Sequence, residues 1–321
     1  MKILVTGAAG FIGYFTSKRL LELGHDVVLA DNFSRHGAGA VLDQISDKNA
    51  TFIELDLMRE ESWTKIGRDF DVVYHYAAIN GTRNFYDMPF QVLRTNSGLI
   101  TSLLSWHERE NPQAHIIWTS SSEVYAGVSG INIPTAELKN VGVGDIYNPR
   151  NTYAISKIFG ESLLINYCRN KTSSYTIIRP HNVFGPRMGF DHVIPEFAMR
   201  IIKGENPFKI YGAHQTRSYC YIEDFVDGAV AIPGNHSAFN KILNLGDDRH
   251  EISSIELANL MLDICDVERD FVFFPPPDGS VNRRCPDITL ARETLGYMPS
   301  SAIENSLKKT IEWYKDDSES L

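Results

Sequence analysis

The feature that most restricts how this chain can fold is the turn Thr6-Gly7-Ala8-Ala9-Gly10-Phe11-Ile12-Gly13, which follows the apolar run Lys2–Thr6 and opens an amphipathic stretch. Gly7 allows a tight turn from strand to helix. Gly10 lets the backbone approach a pyrophosphate, and Gly13 lets the helix lie close to its strand. Phe11 and Ile12 stand at the helix start, where free N–H groups and the helix dipole favour phosphate. A second β-branched run ends in Asp31, 18 residues after Gly13, and Asn32 follows it. A carboxylate at that point suits the two ribose hydroxyls of NAD and repels the 2′-phosphate of NADP. Arg35 is a nearby cation that works against this preference. Gly7, Gly10, Phe11, Ile12, Gly13, Asp31 and Asn32 together read as a dinucleotide site, with NAD as the cofactor.

The pattern around this turn continues for more than half the chain. Short β-branched runs at Lys2–Thr6, Asp26–Ala30, Thr51–Glu54, Val72–Tyr76, His115–Thr119 and Tyr175–Arg179 alternate with amphipathic stretches at Phe11–Leu23, Glu60–Gly67, Phe90–Glu108 and Thr152–Arg169. Such alternation implies an α/β fold, a Rossmann-type doubly wound parallel sheet with helices on both faces. After Arg179 the texture changes: Pro180, Gly185, Pro186, Gly189 and Pro195 break the chain into shorter pieces. Residues 1–179 are expected to form the NAD-binding Rossmann domain, with a return near 212–232. Residues 180–321 are expected to form mainly a smaller substrate-binding lobe. Ligands of such sheets bind beyond the carboxyl ends of the strands.

Charge and cysteines limit the partners. The chain has 321 residues, 43% apolar and 22% charged, the balance of an ordinary soluble protein, and its formal net charge is −9. A net acidic chain with no long basic run is not expected to bind nucleic acid or an anionic membrane. Cys168, Cys220, Cys265 and Cys285 are far apart and form no CxxC pair. Reduced thiols in the cytoplasm are expected, with no metal site. The apolar start, MKILVTGAAGFIG, is too short and too rich in glycine for a membrane span and reads as a buried strand and turn.

The spacing of the glycines, GxxGxxG, resembles that of the extended short-chain dehydrogenase/reductase superfamily, and the resemblance covers nearly the whole chain. Within that superfamily the chain is similar to NAD-dependent nucleotide-sugar epimerases and dehydratases. The resemblance implies a catalytic Tyr-x-x-x-Lys pair on one helix face. The chain contains this spacing three times, at Tyr14/Lys18, Tyr153/Lys157 and Tyr167/Lys171. Tyr14 lies on the helix committed to the phosphates. Tyr167 lies 14 residues beyond Tyr153 on the same expected helix, about 21 Å away at 1.5 Å per residue. Tyr153/Lys157 lies near a helix start and follows a serine-rich strand end, as the family pattern requires. An ammonium near a phenol stabilises phenolate, so Tyr153 is expected to exchange a proton with a sugar hydroxyl, while Lys157 also holds the nicotinamide ribose.

The same resemblance assigns the other site residues. Ser121 takes the position that hydrogen-bonds the reacting hydroxyl, and Ser122 and Glu123 point at the next sugar carbons. Asp56-Leu57, Ala77-Ala78, Asn96 and Pro180 are expected at the cofactor. Asn182, in Arg179-Pro180-His181-Asn182-Val183-Phe184-Gly185-Pro186-Arg187, is expected at the diphosphate with Arg217, and Arg283 and Arg284 form a second basic site. Ile210, in the strand Phe208–Tyr211, is placed at the base. His192, Val193 and Arg83 complete the substrate side. Two departures from the family are Ala126 for the usual Gly and Tyr76 for the usual Leu. The partner implied is a nucleotide-diphosphate sugar, oxidised at carbon 4 to a transient 4-keto intermediate. Ser122 replaces the Asp of sugar 4,6-dehydratases. Ser-Glu-Val-Tyr, Gly-Pro-Arg-Met and Gln-Thr-Arg resemble UDP-glucuronate decarboxylases, the best reading. The loop around Arg83 does not match them, and a 4-epimerase, a dehydratase, a 4-reductase or a non-catalytic NAD sensor remain alternatives. The resemblance also implies a homodimer through the Phe90–Glu108 and Thr152–Arg169 helices.

Overall fold

The strands of the large sheet are apolar on both faces. Ile3 and Val5 join one buried cluster while Leu4, between them, joins another. The same split separates Val72 and Tyr74 from Val73, and Ile117 from Ile116 and Trp118. Side chains alternate across a strand, so a sheet like this needs helices on both faces, which parallel crossovers supply.

The computed structural model describes residues 1–35, 45, 47–128, 132–137, 140–277 and 279–319. The chain runs β1 (Lys2–Thr6), α1 (Phe11–Glu22), β2 (Asp26–Asp31), β3 (Ala50–Glu54), β4 (Val72–His75), α2 (Thr82–Asp87), α3 (Pro89–Glu110), β5 (His115–Thr119), α4 (Asn151–Cys168) and β6 (Tyr175–Pro180). It continues through β7 (Val183–Phe184), α5 (Val193–Ile202), β8 (Phe208–Tyr211), β9 (Thr216–Ser218), β10 (Cys220–Tyr221), α6 (Ile222–Val230) and β11 (Lys241–Leu245). It ends with β12 (Glu251–Ser253), α7 (Ser254–Ile264), β13 (Phe271–Phe274), β14 (Arg283–Arg284), α8 (Thr289–Leu295) and α9 (Ile303–Glu319). Seven strands form one parallel sheet in the order β11-β6-β5-β4-β1-β2-β3. The order reverses between β1 and β4, and that switch point opens the crevice where such folds bind ligands. The α/β Rossmann-type reading of the sequence holds.

Two details differ from the sequence expectation. The stretch Glu60–Gly67 is a 3-10 helix over Glu60–Lys65, not an α-helix. It is short, and the buried Trp63 indole donates to the Leu57 carbonyl at 3.0 Å, which holds the turn tight against the core. The chain also rejoins the sheet layer twice after residue 180. Helix α6 packs on α1, with Arg19 and Asp227 3.3 Å apart, and β11 pairs in parallel with β6. Beyond the sheet lie three small ones, β10-β7, β12-β9-β14 and β13-β8. Among the described residues no helix is long and apolar enough to cross a membrane, and no group of three His, Cys, Asp or Glu residues is placed to hold a metal ion.

Candidate active site

The glycine turn sits at the switch point with no room for side chains. A Cβ on Gly7, whose φ is +69°, would lie 2.6 Å from the Ala77 nitrogen, and one on Gly13 would lie 2.1 Å from the Gly7 carbonyl oxygen. Gly10 caps α1 without a side-chain acceptor, so the N–H groups of Phe11, Ile12 and Gly13 point out of the helix end without intrahelical partners. Asp31 closes β2 beside the turn. Its carboxylate accepts the Ala9 N–H at 2.9 Å and the Phe33 N–H at 2.8 Å. Burial raises its pKa, and these backbone donors oppose the rise. A bare backbone cradle at a helix N-terminus, with a fixed carboxylate alongside, fits the pyrophosphate and ribose of NAD.

The other expected cofactor residues divide. Ala77 and Ala78 lie half-buried next to Gly7, and Pro180 closes β6. Asn32 is exposed and accepts the Ser34 N–H. Asp56 caps its own turn through the Met58 N–H at 3.0 Å, and the Leu57 side chain lies in the core. Asn96 is buried and already engaged: it accepts the Ile79 N–H at 2.8 Å and donates to the Ile79 carbonyl at 3.0 Å and to Ser156 at 3.3 Å. It therefore fixes the loop after β4 to helix α4. Tyr76 packs on the Tyr74 ring, and its hydroxyl accepts from Thr16 at 3.3 Å.

Only one of the three Tyr-Lys pairs faces the strand ends. Tyr167 hydrogen-bonds His107 at 2.8 Å and Lys171 pairs with Glu108 at 2.5 Å. Tyr14 lies beneath the Arg187 guanidinium, and Lys18 is exposed. Tyr153 and Lys157 are both buried on α4. The Ser121 hydroxyl hydrogen-bonds Tyr153 and accepts the Glu123 N–H at 3.2 Å. The Lys157 ammonium donates to the Thr119 carbonyl at 2.7 Å and lies 5.5 Å from the centre of the Tyr153 ring.

Burial governs the electrostatics of this pair. Burial, and then the Glu123 carboxylate, push the Tyr153 phenol above its ordinary pKa, with Ser121 opposing. Burial lowers Lys157 to about 7, with Glu161 opposing. His75, whose ring hydrogen-bonds Thr6, is lowered to about 3 by burial and then by Lys157.

Glu123 gathers the positive charge. Its carboxylate lies 2.9 Å from Arg284 and 3.7 Å from Arg150 and is 21% exposed. Although burial pushes its pKa up, Arg284, Arg150 and Arg217 together pull it down to about 2. Arg217 and Arg284 are register partners on β9 and β14, so they share one face. Burial, and then Arg284, lower Arg217 to about 10. Arg217 also donates to the Thr216 carbonyl at 2.7 Å and the Val281 carbonyl at 2.5 Å. Asn182, at φ +43°, donates to the Ser218 carbonyl at 2.9 Å. His192 caps α5, ahead of Val193, and is lowered by burial, with Asp191 and Glu123 opposing and Arg35 adding to the fall. Ser122 is buried.

Three expected substrate residues do not face this cluster. Arg283 is one residue from Arg284, so the strand turns it to the opposite side, where it pairs with Glu251 at 2.8 Å. Arg83 is 75% exposed and pairs with Asp87 at 3.1 Å along its own helix. Ile210 is buried because β8 turns Phe208 and Ile210 inward and Tyr211 out, where it stacks on Phe274 at 5.0 Å. Two residues went unread. Phe85, on the inner face of α2, stacks on Tyr153 with ring centres 4.9 Å apart. Arg150 precedes Tyr153 by one helical turn, in Asn-Pro-Arg-Asn-Thr-Tyr. That spacing was a usable signal, since residues three apart share a helix face.

Comparison with known proteins agrees with this geometry. The family model described as NAD dependent epimerase/dehydratase family matches residues 3–246. UDP-glucuronic acid decarboxylase 1 of Xenopus tropicalis is 30% identical over 321 residues, covering 99% of this chain and 73% of the relative. UDP-N-acetyl-alpha-D-glucosaminuronate decarboxylase of Bacillus cytotoxicus is 28% identical over 325 residues, 98% of each chain. The crystal structure of UDP-glucuronic acid 4-epimerase from Bacillus cereus, in complex with UDP-glucuronic acid and NAD, superposes with a TM-score of 0.85 at 26% identity, covering 98% of this chain and 99% of that one. NAD is the cofactor of this family, and the crevice at Gly7–Gly13 and Asp31 has the shape to fit it.

Proposed function

The chain belongs to the NAD dependent epimerase/dehydratase family, and from that premise we propose that it oxidises carbon 4 of a nucleoside-diphosphate uronic acid and releases the sugar carboxylate as carbon dioxide. Glu123 carries the proposal: it stands ionised between Arg284 and Arg150, next to Ser121 and close to Tyr153. Three arginines around one carboxylate leave net positive charge for an anionic sugar and its diphosphate. The named activities of the Xenopus and Bacillus cytotoxicus relatives support the same reading.

Gly7–Gly13 and Asp31 would hold NAD, which would supply a reversible hydride acceptor for carbon 4. Ser121 and Tyr153 hold the 4-hydroxyl, and Tyr153, as the phenolate, takes the hydroxyl proton and becomes the neutral phenol. Burial works against the phenolate, and Lys157 supplies the compensating positive charge one helical turn along. Once carbon 4 is a carbonyl, the carboxylate on carbon 5 is β to it. The bond between carbon 5 and the carboxylate breaks, and its electron pair passes into an enolate whose oxygen Tyr153 and Ser121 hydrogen-bond. A proton from water then adds to carbon 5 as the enolate collapses to the 4-ketone. Arg150 and Arg284 draw the substrate carboxylate in, and the fixed charge of Glu123 favours its departure as a neutral molecule. Arg217 and Asn182 hold the diphosphate. The lobe built mainly from residues 180–321 is thus the substrate-binding lobe.

A second reading, 4-epimerisation without loss of the carboxylate, is supported by the likeness to the UDP-glucuronic acid 4-epimerase of Bacillus cereus. Incubation with a panel of nucleoside-diphosphate sugars, followed by product mass and absorbance of reduced cofactor, separates the two. Loss of carbon dioxide from a uronic acid is the expected result; unchanged mass with altered sugar couplings indicates epimerisation. If no sugar reacts and Tyr153→Phe changes nothing, the enzymatic reading fails.

We also read the protein as a cytoplasmic homodimer. The described cysteines are free thiols, which suits a reducing compartment. Phe90 on α3 and Phe159 on α4 are 67% and 42% exposed on two adjacent helices, an apolar surface suited to a second copy.

A further inference from the structure

A chain of buried hydrogen bonds runs from helix α4 to the segment that bears Arg284, and the proposed chemistry does not use it. It begins at Glu161, two turns from Tyr153 on the same helix. Ser120, the neighbour of Ser121, donates to Glu161 Oε1 at 2.5 Å. Arg179 reaches the same carboxylate through Nε at 2.8 Å and Nη2 at 2.5 Å. Arg179 Nη1 then donates to the Tyr125 hydroxyl at 2.7 Å, and that hydroxyl donates to Asn244 Oδ1 at 2.9 Å. The Asn244 amide finally donates to the Thr135 carbonyl at 3.0 Å and the Asp287 carbonyl at 3.1 Å.

Two links of this chain, Tyr125 and the carbonyls bonded to Asn244, flank the charged pair. Tyr125 shares the 3-10 turn Ser122–Tyr125 with Glu123. Asp287 lies three residues after Arg284, and Thr135 is bonded to the Cys285 carbonyl and the Asp287 N–H. Asn244 is therefore the junction between the turn that carries Glu123 and the segment that carries Arg284. A buried polar network of this length is not needed for stability, because apolar residues of similar volume stabilise a core at least as well. Its distinctive property is geometric. Every link is directional, so it fixes the two backbones relative to each other as packing alone does not.

We infer that Tyr125 and Asn244 form a positioning bridge that sets Arg284 against Glu123 and registers both to the helix bearing Tyr153 and Lys157. The inference rests on the reading of Glu123 and Arg284 as site residues. Tyr125→Phe removes one hydroxyl, leaves Asn244 Oδ1 bonded to His181 Nε2 at 3.1 Å and leaves Arg179 paired with Glu161. Asn244→Asp keeps the acceptor and removes both donors.

The test is a spectrum of the full chain labelled with [15N]arginine, with the Arg284 Nε–H signal assigned by Arg284→Lys. In Tyr125→Phe the Arg284 signal is expected to shift and broaden while that of Arg200, which is bonded to Glu205 far from the site, stays in place. The pH at which the Arg284 signal responds to Glu123 is expected to rise by about one unit or more, since a displaced cation no longer holds the carboxyl down. With a sugar that the wild type converts, kcat is expected to fall about tenfold or more with little change in KM, as for a misplacement of about 1 Å. Asn244→Asp is expected to act alike; should it not fold, Tyr125→Phe alone decides. An Arg284 signal and titration unchanged in folded Tyr125→Phe overturn the bridge. The spectrum needs no substrate, so it decides this inference even if no sugar reacts, an outcome that counts only against the proposed function.

Discussion

Replacing Arg284 with Met removes the strongest of the cations that keep Glu123 ionised. In the wild type the carboxyl is pulled from 4.5 to about 2 even though burial pushes it upward. At about 1.4 kcal/mol per pKa unit, this net displacement corresponds to roughly 3 kcal/mol of stability at neutral pH, shared among all the partners of Glu123. Arg150 at 3.7 Å and Arg217 remain after the substitution, and solvent screens the exposed fifth of the carboxylate. Arg284 alone then accounts for about 1–2 kcal/mol. A double-mutant cycle of Glu123→Gln and Arg284→Met, followed by urea unfolding, measures this coupling directly. Its pH dependence has a defined sign. The folded pKa lies below the unfolded one, so the contribution is fully present above about pH 4.5 and is lost as the pH falls through about 2. The coupling should be constant between pH 6 and 7 and decline between pH 4.5 and 3. A coupling within about 0.3 kcal/mol of zero at pH 7, or one that persists undiminished at pH 3, refutes the ion pair as described.

Four further outcomes follow from the geometry. Gly13→Ala places a Cβ against the Gly7 carbonyl, where only backbone can yield. Calorimetric NAD affinity should fall about tenfold or more, and stability by about 1–3 kcal/mol beyond any gain in helix propensity; unchanged NAD affinity would falsify the cradle. Arg217→Ala should weaken binding of a nucleoside diphosphate such as UDP about tenfold, whereas Arg283→Ala, which breaks an outward pair with Glu251, should change it less than about twofold; equal effects would contradict the assigned faces. Lys157 has a folded pKa of about 7 against 10.5 ordinarily, so its burial costs stability below pH 7 and the cost disappears as the pH rises to 10.5. The wild type should therefore gain stability relative to Lys157→Met across that window, and parallel pH–stability curves would show that the lysine is not desolvated. If the protein is the dimer proposed, Phe159→Glu should shift sedimentation from dimer to monomer; a wild type that sediments as a monomer, or an unchanged coefficient in the variant, counts against a dimer through this surface.

The cofactor crevice was legible without a structure because it is local. Strand, glycine turn and helix are contiguous, and the steric exclusion at Gly13, against the Gly7 carbonyl and Ala8, follows from spacing within eight residues, whereas that at Gly7 comes from Ala77 on the next strand end. Tyr153 and Lys157 were chosen among three pairs by position along the chain, and the other two pairs turn out to be engaged by Arg187, His107 and Glu108. The substrate side was less legible. Arg283 and Arg284 are equivalent in a sequence, but a two-residue strand sends them to opposite faces. Arg83 looked like a sugar contact, yet α2 offers Phe85 to the site and spends Arg83 on Asp87.

By itself, then, the sequence determined the parallel sheet layered with helices, the glycine turn that opens the first helix and the helix that carries Tyr153, because each depends on periodicity and on glycines where side chains cannot fit. Only the tertiary structure decided the charge state of the site. Glu123, Arg150, Arg217 and Arg284 come from four separate segments, and the low pKa of Glu123 exists only where they meet. A pKa is set by burial and by neighbouring charges in space, and neither can be read along a chain until its strands have been paired.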